Sequence, residues 1–158
     1  MNWLRVLVPL VPLFTLLASR WVREQQAAIF AGGEPLADAQ IDEARQAGVR
    51  HPERVRLKFV DQIPLPGGFL RELGVRTGLL SSNTAGITLG HGIYIRTAYR
   101  ADRELRVHEL VHVGQYERLG SIEAFLREYL RECLNPGYPW GPLEQEAILR
   151  ASEIVRGR

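Results

Sequence analysis

Val107-His108-Glu109-Leu110-Val111-His112-Val113-Gly114-Gln115-Tyr116 is the stretch from which the rest of the chain is read. It lies in the middle of a helical pattern running from Asp102 to Leu119, with an acidic start and Gly120 placed to stop it. Residues four apart share a helix face, so His108 and His112 can turn both imidazoles toward one metal ion. Glu109 is rotated about 100° from His108, too far round to be a third ligand but near enough to reach water at that ion. Leu110, Val111 and Val113 are uncharged, as a buried helix requires. With four histidines in 158 residues, random placement yields this HExxH spacing in about one such sequence in a hundred. The bland alternative is an amphipathic helix with two satisfied histidines, an odd choice for packing alone.

Downstream, Ser121 is placed to cap a helix with Ile122, Phe125, Leu126, Tyr129, Leu130, Cys133 and Leu134 on one continuous apolar stripe. No carboxylate falls on that stripe. The loop NPGYPWGP, Asn135 to Pro142, breaks the chain, and Pro142 suits the first turn of a last helix. In that helix Glu144, Ala147, Ile148, Ala151 and Val155 share a face, whereas Glu146 aligns with Leu149, Arg150 and Glu153 on a more solvated side. Periodicity therefore selects Glu144 as the inward carboxylate. A metal ion would satisfy a buried carboxylate that is otherwise costly.

Upstream, Val55, Leu57 and Phe59 alternate with Arg56 and Lys58, the mark of a half-buried strand that IPLPGG (Ile63 to Gly68) ends. A second alternation runs from Ile87 through Gly90-His91-Gly92 to Ile95 and reads as a hairpin. Leu36 to Ala47 forms a short helix closed by Gly48, and Trp21 to Ala31 an amphipathic piece closed by Gly32 and Gly33. Helices, then a few antiparallel strands, then helices again: the order implies an α+β fold.

The N-terminus has its own character. Val6 to Ala18, VLVPLVPLFTLLA, is thirteen residues without a charge, preceded by Arg5 and followed by Arg20 and Arg23. As a helix it spans about 20 Å, short of the roughly 30 Å hydrocarbon core, and Pro9 and Pro12 should kink it. Three readings stand: membrane contact through residues 3–19, a cleaved secretory signal, or a helix packed on its own domain. Arg20 and Arg23 would keep the following domain cytoplasmic by the positive-inside rule, which also suits an unpaired Cys133. The division expected is a helical segment over 1–31 and a metal-binding domain over 32–158.

Composition removes other classes. Twenty basic against eighteen acidic side chains leave a net charge of +2, with arginines interleaved among glutamates, so no nucleic-acid partner is expected. The single cysteine excludes an intramolecular disulfide and every Cys-rich zinc module; Cys133 reads as a small buried hydrophobe.

His108-Glu109-x-x-His112 followed by Glu144-x-x-Ala147 resembles the gluzincin branch of the zincin metallopeptidases. VHELVHVGQYERLG with PLEQEA looks more closely like the small bacterial zincin-like domains of the DUF4157 type, over roughly residues 53–156. The metzincin extension is absent, since Gln115 and Arg118 stand where Gly and His are needed. The resemblance implies a minimal zincin-like fold, a small antiparallel sheet packed on the HExxH helix. It implies Zn2+ held by His108, His112 and Glu144, hydrolysis of a peptide or protein substrate, and Glu109 as the base. It implies that the Ile87–Ile95 hairpin receives an extended peptide, and that Tyr or His assists, with His91 and Tyr138 as candidates. One departure stands. Gluzincins often carry Asp four residues after the ligand Glu, supporting a ligand histidine; here that position is Ile148, and losing such a partner costs about tenfold or more in metal affinity or turnover. A zinc-binding interaction module without hydrolysis, and a membrane-associated structural protein with an incidental HExxH, are the two alternatives.

Overall fold

The computed structural model describes residues 3–157, with side chains from Val6 onward; the side chains of Trp3 and Arg5 lie outside the described residues. A 3-10 stretch, Trp3–Leu10, leads into α1, Val11–Gly32. The apolar run and the amphipathic piece expected after it are thus continuous, and the prolines do not break α1. Pro9 lies in the 3-10 stretch and Pro12 in the first helical turn, where its missing N–H has no partner to lose.

The chain continues through β1 (Glu34–Pro35), α2 (Asp38–Gln46), β2 (Arg56–Val60), α3 (Gly68–Arg76), β3 (Gly86–Leu89) and β4 (Gly92–Arg96). Then come α4 (Arg103–Leu119), α5 (Ile122–Glu132) and α6 (Pro142–Val155). Among the described residues, six α-helices and four strands make an α+β fold, as the element order implied.

The sheet order is β1-β2-β4-β3, and it is mixed. The β3–β4 hairpin is antiparallel as expected, pairing Ile87 with Tyr94 and Thr88 with Ile93. The middle pair corrects the expectation: β2 and β4 run parallel, Leu57 beside Ile93. The segment between β2 and β3 contains α3, which supplies the crossover a parallel neighbour needs. No periodic signal in the sequence marked α3 or the two-residue β1.

Pairing alternates the side chains between two covered faces. Leu57, Ile93 and Ile95 share a core with Leu110, Val111 and Val113 of α4 and Ala147 of α6. Leu89 and Tyr94 point the other way, into a core with Val22 and Ile29 of α1 and Tyr116 and Phe125. α4 and α1 therefore flank the sheet. A third cluster joins Val11 and Phe14 to Leu73, Leu130 and Leu134.

Local signals set the ends of the central helix. The Asp102 carboxylate accepts from the Leu105 N–H at 2.9 Å, and Gly120 closes α4 at φ 93°, a left-handed position suited to glycine. Ser121 Oγ then accepts from Ala124 N–H at 3.0 Å to open α5. Cys133 is buried, as its place on the stripe implied. Glu132 adds a carboxylate near that stripe that periodicity did not mark: it is buried and accepts from the Leu143 N–H at 2.8 Å, fastening α6 to α5.

Of α1, the face carrying Val11, Phe14, Thr15, Ser19 and Val22 is buried, while Leu13, Leu16 and Leu17 on the other are 52%, 68% and 44% exposed. Val6–Gly32 is long and apolar enough to cross a bilayer, with a mean hydropathy of 1.4 over its most apolar window.

Candidate metal centre

Three side chains from two helices converge beneath the sheet. His108 and His112 project from one face of α4, and Glu144 from the first turn of α6, whose start Pro142 fixes. His108 Nε2 lies 3.2 Å from Glu144 Oε1 and His112 Nε2 lies 3.3 Å from Glu144 Oε2. The two Nε2 atoms are 3.1 Å apart, and the candidate ligand atoms all fall within 4.8 Å of one another. Each side chain is at most 17% exposed. Nitrogen and oxygen lone pairs brought this close, away from water, repel unless a shared proton or a metal cation sits among them. The donor set, two imidazoles and one carboxylate, fits a divalent ion with a position left open.

Electrostatics agree with that arrangement. Burial alone would raise the pKa of Glu144; the two imidazoles beside it outweigh burial and hold it far below the usual carboxylate range. Burial likewise opposes charging of His112, but its contact with Glu144 and the field of Glu109 raise its pKa on balance. Glu144 Oε2 also accepts from the Tyr129 hydroxyl at 2.8 Å. Burial first, then the Glu144 charge, raises the Tyr129 pKa and keeps it a donor. Sequence periodicity had assigned Tyr129 only to packing.

Gln115 supplies what Ile148 does not. His112 Nδ1 lies 2.8 Å from Gln115 Oε1, and Gln115 Nε2 donates to Leu143 O at 2.8 Å and to Glu146 Oε2 at 3.0 Å. Both of those partners are acceptors, so the amide nitrogen must face them and the amide oxygen must face the imidazole. That places a proton on Nδ1 of His112, so that the neutral ring directs its Nε2 lone pair at the centre. Arg118 holds Glu146 in turn through contacts of 2.8 and 2.7 Å. Arg118 first, against some burial and with Gln115 assisting, lowers the Glu146 pKa to about 2. Glu146 therefore braces the centre from behind, closer to it than the solvated side expected from periodicity. Ile148 is 40% exposed but lines the cavity that contains the centre, while Ala147 and Ala151 are buried.

Glu109 is 4% exposed and turns toward the sheet. Its Oε2 lies 2.6 Å from Thr88 Oγ1, which also sits 2.9 Å from the Glu109 carbonyl oxygen. At Gly86 a Cβ would come within 2.8 Å of Glu109 Oε1, so only glycine lets the strand approach the carboxylate this closely. β3 is the outer strand of the sheet at this point, and its Thr88 carbonyl accepts from the Tyr116 hydroxyl at 3.5 Å. Neither Thr88 nor Gly86 carries a sequence signal beyond its strand position.

The two further candidates separate. Tyr138 lines the cavity that contains the centre; burial first, then the Glu144 and Glu109 charges, pushes its pKa up to about 12, so it is a neutral phenol at pH 7. His91 is not brought there. It lies at the β3–β4 turn, its Nε2 2.9 Å from Glu117 Oε1, and its backbone N–H donates to Gln26 Oε1. Turn geometry and the Glu117 pair commit that ring to bracing α4 against the hairpin. The cavity itself encloses about 670 Å³, and its wall runs from His108, Glu109, His112 and Glu144 to side chains of α1, α3 and α5.

No protein-family model matches this chain, and no curated protein or solved structure matches it either.

Proposed function

We propose that this protein is a zinc-dependent metallopeptidase of zincin-like type, the reading its HExxH…E resemblance suggests. The convergence of His108, His112 and Glu144 within 4.8 Å is the observation that carries it. When bound, zinc supplies Lewis acidity and a water acidified to a pKa of about 7. The chain does the rest. Gln115 keeps the His112 lone pair facing the ion, and the Tyr129 hydroxyl fixes the Glu144 carboxylate. Glu109, steadied by Thr88, accepts the attacking water's proton and passes it to the leaving amine. A substrate peptide extends along the outer strand β3, and Tyr138 donates a hydrogen bond to the developing oxyanion.

The reading includes a membrane-associated site of action with the hydrolytic domain in the cytoplasm. The exposed Leu13, Leu16 and Leu17 of α1 support contact with a bilayer surface, with Arg20 following them at the headgroup level.

Zinc quantification on purified protein beside His112→Ala, paired with peptide hydrolysis by Glu109→Gln, tests the proposal. One zinc per chain, lost in His112→Ala and retained in an inactive Glu109→Gln, is expected. Hydrolysis surviving in Glu109→Gln sinks the assigned base. Zinc retained without hydrolysis of any peptide in a broad library turns the site into a binding module.

A further inference from the structure

The cavity is much larger than the centre it contains, and its wall has two unlike parts. Its volume of about 670 Å³ falls in the range of sites that enclose a whole ligand. α5 shows the division. Phe125 and Tyr129 turn toward His112, their ring centroids 6.2 and 5.8 Å from it, whereas Leu130 packs with Phe14 of α1 and Leu73 of α3. Phe14, Leu73 and Leu130 line the cavity together with Ala18 and Leu126.

This apolar part has little to bond a ligand with. Helix interiors spend their N–H and C=O groups within the helix. Thr77, also on the wall, donates its hydroxyl to Leu73 O at 2.9 Å. The Ser81 and Thr84 hydroxyl oxygens accept from backbone N–H groups of their own loop. Burial pushes the Cys133 thiol up, so it stays neutral. A buried peptide brings an amide N–H and C=O with every residue, and each is costly without a partner. A polymethylene chain brings none.

The one polar end of such a chain has a place at the centre. The ion proposed there offsets the charges of Glu144 and Glu109. Among the described residues the remaining cavity carboxylate is Glu104, which is exposed to water, so an anionic head group meets no uncompensated buried charge. The surface continues the apolar part. Exposed Phe69 of α3 has its ring 5.2 Å from that of Phe14, and exposed Leu10 and Leu17 stand one turn to either side of Phe14 on α1. That strip joins the face proposed for the bilayer to the cavity wall.

We propose that the cavity binds one single-chain fatty acyl group, its carboxyl end at the His108–His112–Glu144 centre and its tail against Phe14, Leu73 and Leu130. The head-group placement rests on the metal reading; the tail site stands apart from it. A carboxylate at the centre takes the place of the attacking water, so the acid opposes hydrolysis of peptides.

The test titrates the full wild-type chain, zinc-loaded and chelator-stripped, with octanoate, decanoate and dodecanoate below their micelle concentrations. One acid should bind per chain, at least twofold more tightly for each added methylene, against about fourfold for complete burial. Stripping the zinc should weaken all three by a common factor of at least five and leave that slope intact. Dodecanoate brominated at mid-chain should quench Trp21, which lines the cavity, and Trp21→Phe should remove the quenching. Changing Leu13, Leu16 and Leu17 together to Ser should keep the slope, because these side chains lie outside the cavity. Ala18→Phe, which places a ring inside it, should weaken dodecanoate about tenfold or more. A gain below twofold per methylene, a slope lost with the outer leucines, or a capped Leu tetrapeptide binding as tightly as dodecanoate overturns the proposal. Affinity indifferent to zinc overturns the placement of the head. If Ala18→Phe fails to fold, the slope and the quenching decide. A slope found in protein that takes up no zinc leaves the tail site standing and removes the metal reading. Zinc uptake without acid binding does the reverse.

Discussion

Replacing Gln115 by Met removes the amide while keeping an unbranched side chain of similar length. Gln115 is 1% exposed and holds three polar partners, at 2.8, 2.8 and 3.0 Å. Glu146 keeps its two Arg118 contacts, and Leu143 O lies in the first turn of α6 where the helix itself offers a donor. His112 is the group left orphaned. A buried donor without an acceptor costs about 1–3 kcal/mol, which is the loss expected in the stability of the metal-free protein. The imidazole also becomes free to move its proton to Nε2, the atom that must present a lone pair. Loss of such a supporting partner weakens metal binding by about ten- to a hundredfold. Competition against a chromophoric chelator measures the zinc affinity, and the nitrogen shifts of the His112 ring report the tautomer of the metal-free state. An affinity within threefold of wild type, with Nδ1 still protonated, would refute the claim that Gln115 sets the tautomer.

Other outcomes follow from the same geometry. Glu144→Gln should lose most of its zinc and Glu146→Gln only part, because one supplies a ligand atom and the other braces Gln115; equal loss by metal analysis reverses that ranking. Glu117 accepts from the backbone N–H groups of Arg50 and His51 and contacts His91. Burial opposes the change, but these contacts lower its pKa, so its stabilising contribution is present above the ordinary carboxylate pKa and fades as pH falls through the lowered value. Glu117→Gln should therefore cost about 1–3 kcal/mol at pH 7 and lose less on acidification than wild type, read by denaturant melts from pH 7 down to pH 3. Changing Leu13, Leu16 and Leu17 together to Ser should abolish co-flotation with anionic vesicles at little cost in melting temperature; undiminished flotation removes the proposed surface.

How much of this was legible in the sequence depended on whether the signal was local. The α4 helix, its Asp102 and Gly120 ends and the β3–β4 hairpin rest on residue type and period, and the structure has them where those signals stood. The convergence of His108, His112 and Glu144 was legible too, because the face of α6 carrying Glu144 also carries Ala147 and Ala151, both buried. Partnerships made across the fold were not legible. Gln115 meets Leu143 and Glu146 over about thirty residues of chain, and Thr88 meets Glu109 across a strand–helix contact. Parallel pairing of β2 with β4 also escaped, since the alternation of a strand says nothing about its neighbour's direction.

The two faces of α1 decide how the proposed membrane contact can be made. A spanning helix would have to withdraw Val11, Phe14 and Val22 from the cores they share with Leu73, Leu130, Tyr94 and Phe125. At about 1.5–3 kcal/mol for each large side chain, those three alone amount to roughly 5–9 kcal/mol, comparable with the whole stability of a domain this size. Withdrawal would also open the wall that Phe14 and Trp21 give the cavity. Contact through the outer leucines, with the inner face left in place, avoids both losses. The same argument separates two perturbations that a simple anchor would not distinguish. Deleting residues 1–20 removes Val11 and Phe14 from the core as well as the outer leucines, and should destabilise the domain. Polar replacement of the outer leucines alone should release the protein from vesicles as a folded, zinc-binding chain. A soluble, fully stable deletion protein would show that α1 is a detachable anchor and that the cavity closes without it.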